Sequence, residues 1–241
     1  MSRKLKFVLV ASLLVNLVLI AGLSLVVAKR GGLTYVTATI SNLLGKSSSE
    51  PDTKYKTRVS VFEDKSPKLG SVVFLGDSIT EGNEWAESFP KVQIVNRGIS
   101  GDTTSGILDR LNQIIEIKPS KVFIMAGIND LAIGRSPQEI GNNISKIVGK
   151  IQKSLPVTKV YIQSITPADY SRYPALSESN IADTNKLIKG IADEYDAEFI
   201  DLFSVFADKD GALPEKWTYD GLHLNGEAYA VWENDIDDLL N

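Results

Sequence analysis

The chain has 241 residues, with 26 basic against 30 acidic side chains, one histidine and no cysteine. An apolar fraction of 43% is enough for a packed core and excludes general disorder. The absence of thiols excludes disulfides, thiolate metal sites, a cysteine nucleophile and a lipidated N-terminal cysteine, while leaving the redox compartment open.

Residues 7–28 carry no charge and are mostly Val, Leu, Ile and Ala. As a helix this stretch is roughly 33 Å long, enough to cross a bilayer core. A cleavable signal peptide has a shorter apolar region, roughly 7–15 residues. Val26 and Ala28 also suit a small-residue cleavage site, so a secreted, cleaved form is the alternative to a single membrane anchor. A buried soluble helix would need burial on every face. Arg3, Lys4, Lys6 and the terminal amine precede the span, and Lys29 and Arg30 follow it. That excess keeps the N-terminus cytoplasmic and places the rest of the chain outside.

Every acidic residue lies at or after Glu50, and six of the 26 basic ones come before it. The remainder thus holds 20 basic against 30 acidic residues, a formal charge of −10. Such a surface repels nucleic acid and argues against broad adhesion to anionic lipid. The stretch "SNLLGKSSSEPDTKYKTR", residues 41–58, reads as a tether, with a short helix at 55–64 packed on the domain. The organisation is an anchor or signal segment at 1–30, a tether at 31–54 and a folded domain at 55–241.

From residue 71 strands and helices alternate. "SVVFLG" (71–76), "VQIVN" (92–96), "KVFIMAG" (121–127), "KVYIQSI" (159–165) and "AEFIDL" (197–202) read as strands buried on both faces. One helix starts at Asp102 or Thr103, with Ile107, Leu108, Leu111, Ile114 and Ile115 inward. Another starts at Ser136, with Pro137 at its first position and Glu139 completing a capping box. A third holds Ile181, Leu187, Ile188, Ile191 and Tyr195. This alternation predicts an α/β fold, a parallel sheet between helices with all strand C-terminal ends along one rim, where ligands bind.

At that rim stands "VVFLGDSITEG", residues 72–82. Ser78 falls just past the first strand. A serine needs a base, and the base needs an orienting partner. The one histidine is His223, in "WTYDGLHLNGEAY", three residues after Asp220. An imidazole has a suitable intrinsic pKa. Taken singly, Ser78 reads equally well as a helix cap, while a lone His223 is more often a packing or surface residue than a catalyst and a lone Asp220 reads as a turn former. "GDSITEG" lacks the Walker spacing and GxGxxG, and Thr80 replaces the second glycine of GxSxG. "NRGISGD" (96–102) places Gly98 at the rim after the second strand, and "AGIND" (126–130) places Gly127 and Asn129 there after the third. A glycine offers a close, freely oriented amide, and an asparagine a side-chain donor for an oxyanion.

Jointly these stretches resemble the SGNH hydrolases, also called GDSL esterases and lipases. The motif residues match Ser78 in "GDSI", Gly98 in "NRGISGD", Asn129 in "GIND" and His223 in "DGLHL", with Asp220 at the acid position. "NRGISGDTT" with "YDGLHLN" is most similar to the compact branch that resembles platelet-activating-factor acetylhydrolase. The resemblance runs from about residue 55 onward. It implies a flavodoxin-like three-layer sandwich with a five-stranded parallel sheet of order 2-1-3-4-5. It also implies ester hydrolysis by Ser78, His223 and Asp220, an oxyanion hole of Ser78, Gly98 and Asn129, and no metal or cofactor. The expected substrate is a small-molecule, lipid or glycan ester, with short-chain or O-acetyl groups favoured. The segment "TPADYSRYPALSES" (166–179) is long for such a fold, and Tyr170, Tyr173, Trp85 and Trp217 are candidates for pocket walls. The reading from a different class is a non-catalytic, membrane-tethered module that binds acylated glycan or lipid.

Overall fold

In the computed structural model, residues 53–65 and 69–240 are described; the apolar span at 7–28 and nearly all of the tether lie outside them. A compact unit begins at Thr53. Among the described residues no helix is long and apolar enough to cross a membrane.

The chain opens with α1 (Thr53–Asp64) and β1 (Val72–Gly76), followed by α2 (Ser78–Glu81), α3 (Trp85–Ser88) and β2 (Ile94–Gly98). Then come α4 (Thr104–Asp109), α5 (Leu111–Ile117), β3 (Lys121–Met125), α6 (Ile128–Ala132), α7 (Pro137–Ser154) and β4 (Lys159–Gln163). Last are α8 (Glu178–Glu194), β5 (Glu198–Ile200), α9 (Leu202–Phe206), a 3₁₀ turn at Glu215–Trp217 and α10 (Gly226–Leu240). All strand pairs are parallel and the order is β2-β1-β3-β4-β5, as the resemblance implies. β1 lies between β2 and β3, so the loops leaving β1 and β3 diverge and open a crevice at the strand ends.

Burial on both faces holds for β1 and for all of β3 after Lys121. It fails at the edges, where the first residues of β2 and β5 are partly exposed because no further strand covers them. β2 also runs two residues later than its apolar pattern predicts, since Arg97 and Gly98 pair with Leu75 and Gly76. The capping box at Ser136 forms, and Ile140, Ile144, Ile147, Val148 and Ile151 of α7 are buried. The predicted continuous helix from Thr103 instead breaks at Arg110. There the side chain turns inward, giving Asp102 Oδ2 its Nε–H at 2.8 Å and Gly76 O its Nη2–H at 3.1 Å.

On one face of the sheet Phe74, Phe123 and Tyr161 sit side by side in register and their rings stack at 4.9 and 4.4 Å. Trp85 of α3 stacks on Phe74 at 4.0 Å, and Trp232 of α10 meets Trp85 edge-on at 4.9 Å. Trp232 Nε1–H donates to Gln163 Oε1 at 2.8 Å, so the indole is buried without an orphaned donor. Trp85 is 1% exposed, which removes it from the candidates for a pocket wall.

β2 ends beneath α2. A side chain at Gly98 would collide with the backbone of Glu81 and Asp77. Gly98→Ala is therefore expected to destabilise the domain by about 1–3 kcal/mol, the usual range for overpacking. Urea unfolding of the two proteins measures this directly.

Candidate active site

Ser78 opens a helix of four residues, too short to persist alone. Side chains from several elements hold it. Asp77 caps its start, accepting Ile79 N–H at 3.0 Å. At its end Tyr229 Oη donates to Ile79 O at 2.7 Å and Trp85 Nε1 to Thr80 O at 2.9 Å. Asn96 Nδ2 reaches the carbonyls of Thr80, Glu81 and Asn83 at 3.1–3.2 Å. The cap is thus Asp77, and Ser78 keeps its hydroxyl for other partners.

That partner is His223. Its loop turns at Gly221, which has φ +90°. Asp220 Oδ1 accepts the amides of Leu222 and His223, each at 2.9 Å. Asp220 Oδ2 is left for His223 Nδ1 at 2.6 Å. Burial works against ionisation of Asp220, but the bonds from the His223 ring and from these two amides outweigh it and hold the carboxyl well below the usual range. A carboxylate at Nδ1 requires the proton there, which leaves the Nε2 lone pair facing Ser78 Oγ at 3.0 Å. The relay is open to water: the side chains of His223 and Asp220 are 46% and 48% exposed.

Asn129 lies in the first turn of α6 and donates one Nδ2–H to Asp102 O at 2.9 Å, leaving the second. Its neighbour Asp130 is fully buried and accepts Thr104 N–H at 2.8 Å, Thr104 Oγ1–H at 2.7 Å and the Arg135 guanidinium at 2.6 Å. Those bonds fix α6 against α4.

Gly98 is placed differently from the sequence expectation. Its amide already donates to Asn96 Oδ1 at 2.9 Å, and it lies buried under α2. Gly101, three residues on, is exposed with φ +77°. No acceptor among the described residues takes its N–H. The free glycine amide of this loop is therefore Gly101. The signal was available in "ISGD", but nothing in the sequence says which of two nearby glycines a flanking asparagine will occupy.

The candidate pocket walls divide. Tyr170 Oη donates to Gly211 O at 3.0 Å, and burial, reinforced by Glu178, pushes its pKa up to about 12. Trp217 packs edge-on to Phe206 at 5.8 Å with the Lys216 ammonium over its ring. Tyr173 alone feels the relay: burial first and then the Asp220 charge raise its pKa. The 166–179 segment is clipped to the histidine loop by Asp169 N–H on Gly221 O at 2.8 Å and Arg172 Nη1–H on Tyr219 O at 3.2 Å. Tyr219, beside Asp220, is 88% exposed and passed unnoticed in the sequence. Two grooves of about 620 Å³ each lie elsewhere, one between α7 and α8 and one by the N-terminal end of β4, and neither includes a relay residue.

A doubly wound α/β domain that carries a serine, histidine and aspartate relay at its strand ends has the architecture of a serine hydrolase. The model of the GDSL-like Lipase/Acylhydrolase family matches residues 74–231. The platelet-activating factor acetylhydrolase IB subunit alpha2 of Gallus gallus is 31% identical over 189 residues, 76% of this chain and 80% of that one. A GDSL-like lipase from Bacteroides thetaiotaomicron superposes with TM-score 0.68 at 26% identity, covering 77% of this chain and 96% of that one. A structure described as a putative platelet activating factor from Streptococcus pneumonia does so with TM-score 0.72 at 25% identity, over 85% and 99%. The chain belongs to the GDSL-like lipase/acylhydrolase family and is a carboxylic ester hydrolase.

Asp77 adds a pH dependence. Burial, opposed by the Ile79 amide and reinforced by Asp102, raises its pKa from 3.8 to about 7. The folded domain then holds a proton that the unfolded chain has lost. The resulting stability is present in full below about pH 4 and disappears as pH rises towards 7. Thermal unfolding between pH 4 and 7.5 should show wild type losing more stability over that window than Asp77→Asn.

Proposed function

We propose that this chain hydrolyses short-chain acyl esters, acetyl esters among them, through a covalent acyl-enzyme formed on Ser78. The observation that carries the reading is the relay, with Ser78 Oγ 3.0 Å from His223 Nε2 and His223 Nδ1 2.6 Å from Asp220 Oδ2. Ser78 Oγ attacks the carbonyl carbon as His223 takes its proton, and Asp220 stabilises the imidazolium. The oxyanion is held by the amides of Ser78 and Gly101 and the second Nδ2–H of Asn129. The imidazolium returns its proton to the leaving alcohol, and water, activated by the same histidine, releases the acid.

Several features support a short acyl group. The Gallus gallus relative is named an acetylhydrolase. The relay is half exposed, and the 166–179 segment is held against the histidine loop. Methylenes that stay in water forfeit about 0.8 kcal/mol each of apolar stabilisation. We further propose that residues 7–28 anchor the chain in a membrane with the domain outside the cytoplasm. The support is their uncharged length and the basic residues before them.

A fluorophosphonate probe should label wild type and not Ser78→Ala, whose turnover should fall by several orders of magnitude with the fold intact. Across p-nitrophenyl esters, kcat/KM should be highest from acetyl to butyryl and fall beyond about octanoyl. A preference for palmitoyl would refute the short-acyl reading. In fractionation, full-length protein should stay with membranes through high-salt and carbonate washes. Recovery of the whole population as a soluble chain beginning near Lys29 would show cleavage instead.

A further inference from the structure

Glu81 ends the helix that begins with Ser78, and its two carboxylate oxygens face different elements. Oε2 accepts the backbone N–H of Ser100 at 2.7 Å. Oε1 lies 3.2 Å from Nε of Arg58, on α1. Ser100 immediately precedes Gly101, in a turn closed by Asp102 N–H on Ile99 O at 3.0 Å. A single carboxylate therefore joins the serine's helix to the loop that bears the free glycine amide.

This bond solves one problem and creates another. Gly101 has φ +77° and nothing packs within 4 Å of where its Cβ would be, so its own surroundings do little to fix where its amide points. The bond to Ser100 supplies that constraint one residue away. Yet a bare carboxylate beside donors meant for an oxyanion opposes the charge that develops there. Arg58 answers that charge. Its guanidinium lies 4.8 Å from the centre of the Phe62 ring, and Arg97 lies 4.4 Å from the same centre. α1 is held to the domain beyond this pair by Tyr55 Oη on Gly106 O at 3.0 Å.

We propose that Glu81 is a positioning residue for the oxyanion donors, and that Arg58 of α1 is the counter-charge that keeps its carboxylate from opposing the transition state. This rests on the reading that Gly101 and Asn129 hold the oxyanion. Removing the acceptor frees the loop, and removing only Arg58 leaves the loop held but negatively charged. The two losses have different remedies. A glutamine at position 81 keeps an oxygen for Ser100 and carries no charge.

The test uses the full chain in detergent with p-nitrophenyl acetate, measuring kcat and KM separately. A trifluoromethyl ketone, whose serine adduct carries an oxyanion, serves as a second probe. E81A and R58A should each lower kcat about tenfold to hundredfold, the cost of a misplaced or opposed transition-state contact, with little change in KM. Their trifluoromethyl ketone inhibition should weaken by a similar factor. E81Q should recover most of what E81A loses, and the double variant R58A/E81Q should recover most of what R58A loses. That rescue distinguishes charge relief from general loosening. Wild-type kcat in E81A overturns the proposal, as does failure of E81Q to rescue either variant. A loss that appears only in KM or follows a fall in Tm overturns it too. Where Ser78→Ala is inactive, such a result leaves the serine mechanism standing; an active Ser78→Ala removes both.

Discussion

With no side chain at Gly98, the backbone of Asp77 and Glu81 rests directly on the end of β2. The rest of the site depends on that close approach. It sets Ser78 at the height of the strand ends, and it lets Asn96 reach both ways, accepting from Gly98 N–H and donating to the carbonyls at the end of α2. A four-residue helix gains from its surroundings what its length cannot supply. Tyr229 of α10 and Trp85 of α3 complete the ring of donors, tying the serine to the aromatic layer that covers the sheet.

The electrostatics divide by depth. Asp77 and Asp102 are buried, and burial raises the pKa of each carboxyl. Asp220 lies at the surface and keeps its charge through directed hydrogen bonds. Asp77, next to Ser78 in the chain, and Asp220 are thus held towards opposite protonation states, one by lack of water and one by donors aimed at it. Only the second touches the imidazole.

Much of this was legible in the sequence because each signal was local. Five short apolar runs separated by helical periods gave the parallel sheet, and Ser136, Pro137 and Glu139 marked the start of α7. "GDSI" and "DGLHL" named the serine, histidine and aspartate that the fold brings together. What escaped depends on neighbours that a linear pattern does not contain. The amide of Gly98 is consumed by Asn96, so the free donor moves to Gly101. Tyr170 spends its hydroxyl on Gly211, and Trp85 is drawn under α10 by Phe74 and Trp232. The break at Arg110 arises from a buried ion pair across eight residues, which apolar periodicity cannot register. The span at 7–28 remains a statement about sequence.

The aromatic layer and the relay both depend on the end of the chain. Phe74, Trp85 and Phe123 are all translated well before α10, which brings Trp232 and Tyr229 to close over them. His223 and Asp220 arrive just ahead of the same helix. In the folded domain the rings along β1 and β3 are covered from the same end of the chain that supplies the base to Ser78. Cover for the rings and the base for the serine thus come from adjacent residues, 220–223 and 226–240. A chain that lacked residues 220–240 would lose the base, its aspartate and the rings that cover Trp85 together, so one short stretch at the end of the domain serves both activity and apolar cover.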